Sequence, residues 1–568
     1  MGVLDSRLHG NDDNHGAEFF IELLNHSTGH LFHCGVSVID QEWDVILIGA
    51  GQNNFALGTY LGMAGLKTVI CESRLENGGR LASEEITMPG YWHNTLAYFQ
   101  DNRQISPVWK ELKWDSAHHA EFVSPPVVSS LLLAEGRSVS QHQSLAETVN
   151  SVAKFSPNDA VAWSQTHDKY HRLIHDFLIP YYYQTPQANG GGYQKLDSYP
   201  AGKDFHRLWR MTPRQVVDEL FENNAVKTLA LSQMAIPRGV ATDYEGGGIE
   251  VLKMIAGDEK PELARGGAHS IAQVLQRAYV HHGGQIRAVH HVEKILVEQG
   301  RATGVRLRDG RDWKARLGVV SNSDPYSTFI DMIGEAHLPR MFAEKIKAIE
   351  VDEFSYFQLH LALKAPVRYA LFEADDTAVG QAMNITMGPE KPADLEAMWE
   401  EIRDGEFPQH VCLHAICPTA FDPLQAPRPK HSASLFMPVP FQLKGKQPED
   451  WVKLKNGFMD SVLKIWRRYA TNLTDDNIEM KVAMDPFYIS GRWPNMRRGS
   501  VWVARKIAKQ MGANRPMEEL SSYRTPIAGL YQVGVATHPA DAVIAGSGRN
   551  CWQVMKEDLK LEIRAATI

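Results

Sequence analysis

The chain has 568 residues, more than one simple hydrophobic core serves, and its composition (43% hydrophobic, 22% charged) is that of a globular protein of two or more domains. A net charge of −8 with no lysine- or arginine-rich run argues against a nucleic-acid binder, and no apolar stretch reaches the roughly 18 residues that span a bilayer. Cys34, Cys71, Cys412, Cys417 and Cys551 form no disulfide framework, and Cys412 and Cys417 lack the second pair a zinc site wants, so thiols in a reducing cytoplasm are expected.

Residues 1–41 open with the polar, aperiodic stretch Leu4 to Asp13. They lack the basic-then-apolar order of a secretory signal and are expected to be a disordered extension, or to follow an upstream start that is not the natural one, rather than a domain. From Trp43 the pattern changes. Asp44 to Ile48 is an apolar run of strand length that breaks into Gly49-Ala50-Gly51-Gln52-Asn53-Asn54. Phe55 to Leu61 then shows helical spacing, and Thr68 to Cys71 is a second short strand ending at Glu72. This predicts one βαβ unit built for a dinucleotide. Gly49 permits the tight turn, Gly51 lets backbone approach a pyrophosphate, and the helix aims its free N–H groups there. Glu72 stands where an acidic residue accepts hydrogen bonds from a ribose. The usual third glycine is Asn54, which is expected to loosen or shift the first helical turn without abolishing phosphate binding.

Ser73, Arg74 and then Gly78-Gly79-Arg80-Leu81 follow directly. Two glycines between arginines make a backbone-exposed loop able to wrap a diphosphate, with arginine donors to neutralise it. The combination of Glu72, Arg74, Gly78, Gly79 and Arg80 resembles the second signature of FAD proteins of the amine oxidase and phytoene desaturase superfamily. It favours FAD over NAD. Pro89-Gly90 resembles that family's segment leading to the flavin, whereas Asn94 departs from its pattern.

Residues 146–237 read as the first part of a helical substrate domain. Tyr170, Leu173, Ile174, Phe177 and Leu178 form one helical stripe, Tyr181-Tyr182-Tyr183 an aromatic core cluster, Asn189 to Gly192 a mobile loop. Thr212-Pro213-Arg214-Gln215 is a helix start with a capping box. Residues 238–325 return to the nucleotide fold, after 42–145: a helix after Gly266-Gly267, then short strands with hairpin punctuation. The resemblance implies that Val292 offers its backbone to the adenine. His281-His282 and His290-His291 are adjacent pairs, and neighbours on a strand face opposite ways, so no metal site is expected.

Residues 326–518 are expected to be the second part of the substrate domain. Phe357, Leu359, Leu361 and Leu363 alternate with Gln358, His360 and Ala362, predicting a half-buried strand, and Trp451 to Ala470 an amphipathic helix. Residues 519–568 complete the FAD domain, with a strand ending at Gly534, then His538-Pro539 and a helix opened by Gly546-Ser547-Gly548-Arg549-Asn550. This is similar to the end of phytoene-desaturase-like proteins. There, the helix N-terminus, with Gly534, Ile544, Gly546 and Asn550 in this chain's numbers, faces the flavin. The resemblance also puts His538 near the isoalloxazine, where it is a candidate proton acceptor. Met496 to Ser500 and Tyr523 to Pro526 look like the branch containing pyridine nucleotide-disulfide oxidoreductase domain 2 proteins and carotenoid ketolase-like enzymes.

The expected fold is α/β, with a Rossmann-like FAD domain assembled from separated segments and a mixed sheet-and-helix substrate domain. The resemblance implies non-covalent FAD and dehydrogenation of a CH–CH bond in a hydrophobic small molecule. No second Gly-x-Gly-x-x-Gly unit offers an NADPH domain, so oxygen, quinone or another acceptor is the more natural oxidant. A flavin amine oxidase and a non-catalytic flavin-binding protein stay open as alternatives. So do peripheral contact with a membrane and the oligomeric state.

Overall fold

A computed structural model describes residues 42–99, 103–186, 193–236, 238–257, 260–373, 376–540 and 544–564. The expectations for residues 1–41 and for the Asn189–Gly192 loop fall outside them. No helix among the described residues is long and apolar enough to cross a membrane.

The chain enters through strand β1 (Glu42–Ile48), helix α1 (Gln52–Met63) and strand β2 (Thr68–Cys71). β1 and β2 pair in parallel, Val45 opposite Thr68 and Ile48 opposite Cys71. Helices cover both faces of such a pair, so its run of β-branched residues is buried throughout rather than alternating. Phe55, Leu57 and Leu61 of α1 are fully buried, each stabilising the fold by ~1.5–3 kcal/mol.

Next comes a hairpin of β3 (Val127–Leu132) and β4 (Ser138–His142), followed by the helices α2 (Pro157–Leu173), α3 (Gly202–Arg210), α4 (Pro213–Leu220) and α5 (Gly248–Ala256). Thr212 and Gln215 form the predicted reciprocal capping box on α4. α6 (His269–His281) leads back to β5 (Gln285–Arg287), β6 (Val292–Glu298), β7 (Arg301–Leu307) and β8 (Asp312–Ser321). Then follow β9 (Phe354–Leu363), β10 (Ala382–Met387), β11 (Leu413–Ile416), β12 (His431–Pro440), helix α7 (Trp451–Tyr469) and β13 (Ile478–Met484). The chain ends with β14 (Leu530–Gln532) and α8 (Gly546–Asp558).

Two seven-stranded sheets result. The first runs β6-β7-β8-β1-β2-β5, with β14 added beside β8. β8 changes neighbours along its length: its start pairs antiparallel with β7, its end in parallel with β14. The second sheet runs β13-β9-β12-β11-β10-β3-β4. The β3–β4 hairpin therefore lies in the second sheet, although its residues fall within the 42–145 segment expected for the nucleotide fold.

Strand β9 differs from expectation. It is buried along both faces. Phe357, Leu359, Leu361 and Leu363 pack into a cluster with Trp451, Val462 and Trp466 of α7. Phe354 and Tyr356 turn the other way, into the large core shared with the nucleotide half. Polar groups on that second face bond one another: His360 bonds Ser434 Oγ (2.8 Å) and Gln358 Oε1 (3.0 Å), while Gln358 Nε2 finds no partner among the described residues. A sequence alternation cannot separate a solvated face from one whose polar groups bond each other.

Candidate functional site

The ends of β1, β2 and β8 converge on a cavity of ≈ 500 Å³. Gly49, Ala50, Gly51, Gln52 and Asn53 line one side of it, Glu72, Ser73, Arg74, Gly78, Gly79, Arg80 and Leu81 another. Val292 and Ile544 also line it. The two loops are tied together: Gly78 N–H donates to the Ala50 carbonyl (2.8 Å). Gly51 is the N-cap of α1, and no side chain caps that helix end. Its free N–H groups and positive dipole end are thus left for a ligand anion. A Cβ on Gly51 would come within 2.6 Å of Asn322 Nδ2 and would push that side chain aside.

Glu72 is 8% exposed and already serves the fold. One carboxylate oxygen accepts Ala50 N–H (2.8 Å); the other accepts Arg74 N–H (2.8 Å) and the Ser73 hydroxyl (3.1 Å). The Arg74 guanidinium pairs with Glu84 (2.5 Å), while its Nε and Nη1 are buried without partners among the described residues. Arg80 is half-buried: Nη1 donates to the Val501 carbonyl (3.2 Å), and the guanidinium stands 5.3 Å from the Trp502 ring centre. Burial pulls its pKa down to about 10.

Two asparagines of α1 have roles that no sequence pattern announces. Asn54 does not loosen the turn. It is buried, and its Nδ2 donates to both the Ile48 and the Gly49 carbonyls (2.9 Å each), stapling the strand end. Asn53 accepts Gly548 N–H (3.1 Å) and so links the first turns of α1 and α8. Gly534, Gly546 and Asn550 do not line the cavity. Gly534 N–H donates to Ser547 Oγ (3.0 Å), and Asn550 Nδ2 donates to the Tyr182 carbonyl (3.0 Å). Asn94 takes part in packing: its Oδ1 accepts the Ser83 hydroxyl (2.7 Å) and Ala268 N–H (2.8 Å).

The cavity runs on past these loops to an apolar end. Tyr98, Phe99, Ile236, Tyr356 and Phe436 wall it, with Trp493, Val501, Trp502 and Val535 alongside. Tyr98 stacks on Phe436, ring centres 5.3 Å apart. None of these residues carries a sequence signature. Asn322, at the tip of β8 beside Gly51, has only a weak one, as the residue after a strand that must end at the loop.

His538 lies elsewhere. It lines a second cavity, is 3% exposed, and approaches the Tyr181 carbonyl through Nε2 (3.2 Å). Burial pushes its pKa down to about 4, so the ring is neutral at ordinary pH. No cluster of three or more metal-ligating side chains occurs among the described residues, and Cys71, Cys412, Cys417 and Cys551 are free thiols.

The glycine loops, the uncapped α1 terminus, the acidic residue at the end of β2 and the orphaned Arg74 nitrogens fit a dinucleotide with an anionic bridge. Known proteins share this frame. A putrescine oxidase structure superimposes with a TM-score of 0.58 over 92% of this chain and 99% of that one, at 12% identity, which is a likeness of fold. The chain thus has the fold of that oxidase. No family model matches it. Over nearly its whole length it is similar to a limonene dehydrogenase polypeptide of Castellaniella defragrans: 28% identical, covering 92% of this chain and 96% of that protein. It is also similar to rat pyridine nucleotide-disulfide oxidoreductase domain-containing protein 2 (24%; 91% and 94%) and to a lycopene-forming phytoene desaturase of Paracoccus (23%; 90% and 97%).

Proposed function

We propose that the protein is an FAD-dependent dehydrogenase acting on a hydrophobic carbon skeleton, desaturating a CH–CH bond. In this reading Glu72, Arg74 and Val292 hold the adenosine end. The Gly49–Asn53 turn and Gly78–Arg80 hold the diphosphate, and Val501, Trp502, Val535 and Ile544 border the ring system. Bound flavin supplies the acceptor for the hydride that leaves the substrate carbon. The protein's share is to bind, orient and exclude water.

The observation that carries the substrate class is the far end of the cavity. Tyr98, Phe99, Ile236, Tyr356 and Phe436 present rings and aliphatic carbon. The carboxylates of the cavity lining, Glu72, Glu293 and Asp331, and its His291 come from segments other than those that wall that end, and the half-buried Arg80 also lines the cavity. Such a surface costs little to desolvate against an alkene or alicyclic body, whereas an ammonium would meet the like charge of Arg80. The hydrocarbon-processing names among the relatives support the same choice over an amine.

The test is anaerobic mixing of the FAD-loaded protein with cyclic and acyclic isoprenoid alkenes on one side and primary amines on the other. Bleaching of the flavin's visible absorption by members of the alkene set is expected, with the dehydrogenated product confirmed by mass. Bleaching by amines alone would sink the proposal, as would a protein that binds no FAD.

A further inference from the structure

A second cavity of ≈ 560 Å³ lies between helices α3, α4 and α5 and the segments around Lys506 and His538. It adjoins the first. Within a few residues of chain, Ile236 leads to Val240, Trp502 to Lys506 and Val535 to His538; in each case the first residue lines one cavity and the second lines the other. The dehydrogenase reading makes no use of it.

Its chemistry is mixed in a particular way. Trp209, Met211, Ile249 and Met511 supply an apolar wall. His206 and Arg210, one turn apart on α3, also line it, Arg210 on the exposed side. At the inner end is Lys506, 7% exposed. Its ammonium donates to the Arg238 carbonyl (3.3 Å) and rests 3.3 Å from the centre of the Trp502 ring. Lys506 makes no ion pair with any carboxylate of the described residues. Glu250, on the same cavity wall, is held by Lys253 (3.1 Å) and Arg238 (3.5 Å).

Glu250 acts on this ammonium too, but from outside ion-pair distance and while shared with Lys253 and Arg238, so the lysine stays under-compensated. Taking an unpaired cation out of water costs several kcal/mol, and a ring face returns only part of that. The strain shows in the lysine itself, whose pKa burial draws down to about 7. A ligand that brings its own anion relieves this cost, and one with an apolar body fills the remaining wall. Of the carboxylates that line the cavity, Glu245 is exposed to water and Glu250 is already shared by Lys253 and Arg238, so a cationic ligand at the inner end would add to the charge of Lys506.

We propose that the second cavity is a binding site for a small amphipathic carboxylate, its head on Lys506 and its apolar body against Trp209, Met211, Ile249 and Met511. The site is distinct from the cavity assigned to flavin and substrate and does not depend on that assignment. Because Lys506 rests on Trp502, a ligand there adjoins the wall of the first cavity.

The experiment is titration calorimetry of the FAD-loaded protein with octanoate, octanol and octylamine. Octanoate is expected to bind at least about tenfold more tightly than either of the others. Lys506→Met, which keeps length and apolar contact, is expected to erase the preference while FAD content is unchanged. Lys506→Arg keeps the charge and is expected to retain it, so a poorly folding methionine variant still leaves a reading. Equal affinity for octanoate and octanol overturns the proposal, and so does a preference that survives Lys506→Met. A borohydride-trapped adduct of octanal on Lys506, with no octanoate binding, would replace it with an imine-forming lysine. The signal is heat of binding, so it stands or falls whether or not alkenes reduce the flavin.

Discussion

Replacing Glu72 by glutamine separates a role in the fold from a role in cofactor binding. The carboxylate is 8% exposed and accepts two backbone N–H groups at 2.8 Å, from Ala50 and Arg74, plus the Ser73 hydroxyl. Glutamine is nearly isosteric but has one acceptor oxygen. Whichever way its amide turns, one of those backbone donors faces an NH₂ group. A buried donor left unmet costs about 1–3 kcal/mol, and the remaining bond loses its charge assistance. The apoprotein of Glu72→Gln should therefore melt a few degrees below the parent. If Glu72 also receives the adenosine ribose, FAD affinity should fall separately, by roughly ten- to a hundredfold, since each 1.4 kcal/mol is a factor of ten. Thermal melts of apoprotein and fluorescence titrations with FAD read the two effects independently. A variant that melts lower yet binds FAD as well as the parent refutes the ribose contact. One that melts and binds like the parent refutes the assigned hydrogen bonds as well.

Three further outcomes are expected. Gly548→Ala places a Cβ 2.1 Å from the Asn53 carbonyl oxygen, forcing α8 away from α1; stability should drop by roughly 1–3 kcal/mol or more, with FAD lost on purification. His93, His414 and His538 are buried and neutral, with burial holding their pKa values near 3, 3 and 4, whereas the unfolded chain takes up those protons near pH 6.5. Their contribution is thus complete above about pH 6.5 and is lost on acidification, at ~1.4 kcal/mol per pH unit for each histidine, so urea midpoints should fall steeply from about pH 6 to pH 4; flat midpoints there would contradict the neutral assignment. His538→Asn should leave the rate of alkene-driven flavin reduction within about threefold of the parent, because the ring lines the second cavity; a loss of about a hundredfold would restore it as the proton acceptor.

The βαβ unit was readable before any coordinates, because each of its parts is local. A strand's β-branched run, a turn that only glycine can make and a helix's 3.6-residue spacing are all set within about thirty residues. The capping box at Thr212 is equally local and formed as read. Contacts made across the chain were not legible. Asn54 looked like a missing glycine and proved to be a staple, since the carbonyls it bonds are presented only once β1 ends at the turn. Asn53 caps a helix 495 positions away. The alternation in β9 suggested one wet face, and the structure covers both. The resemblance puts His538 beside the flavin and the structure sets it on the wall of the second cavity; which side of a wall a ring occupies depends on packing between segments hundreds of residues apart. The same holds for the apolar end of the first cavity and for Lys506 in the second. Local sequence determined the nucleotide turn and where the first sheet begins. Tertiary structure alone decided which side chains face which cavity, because that choice rests on burial and on long-range partners for polar groups.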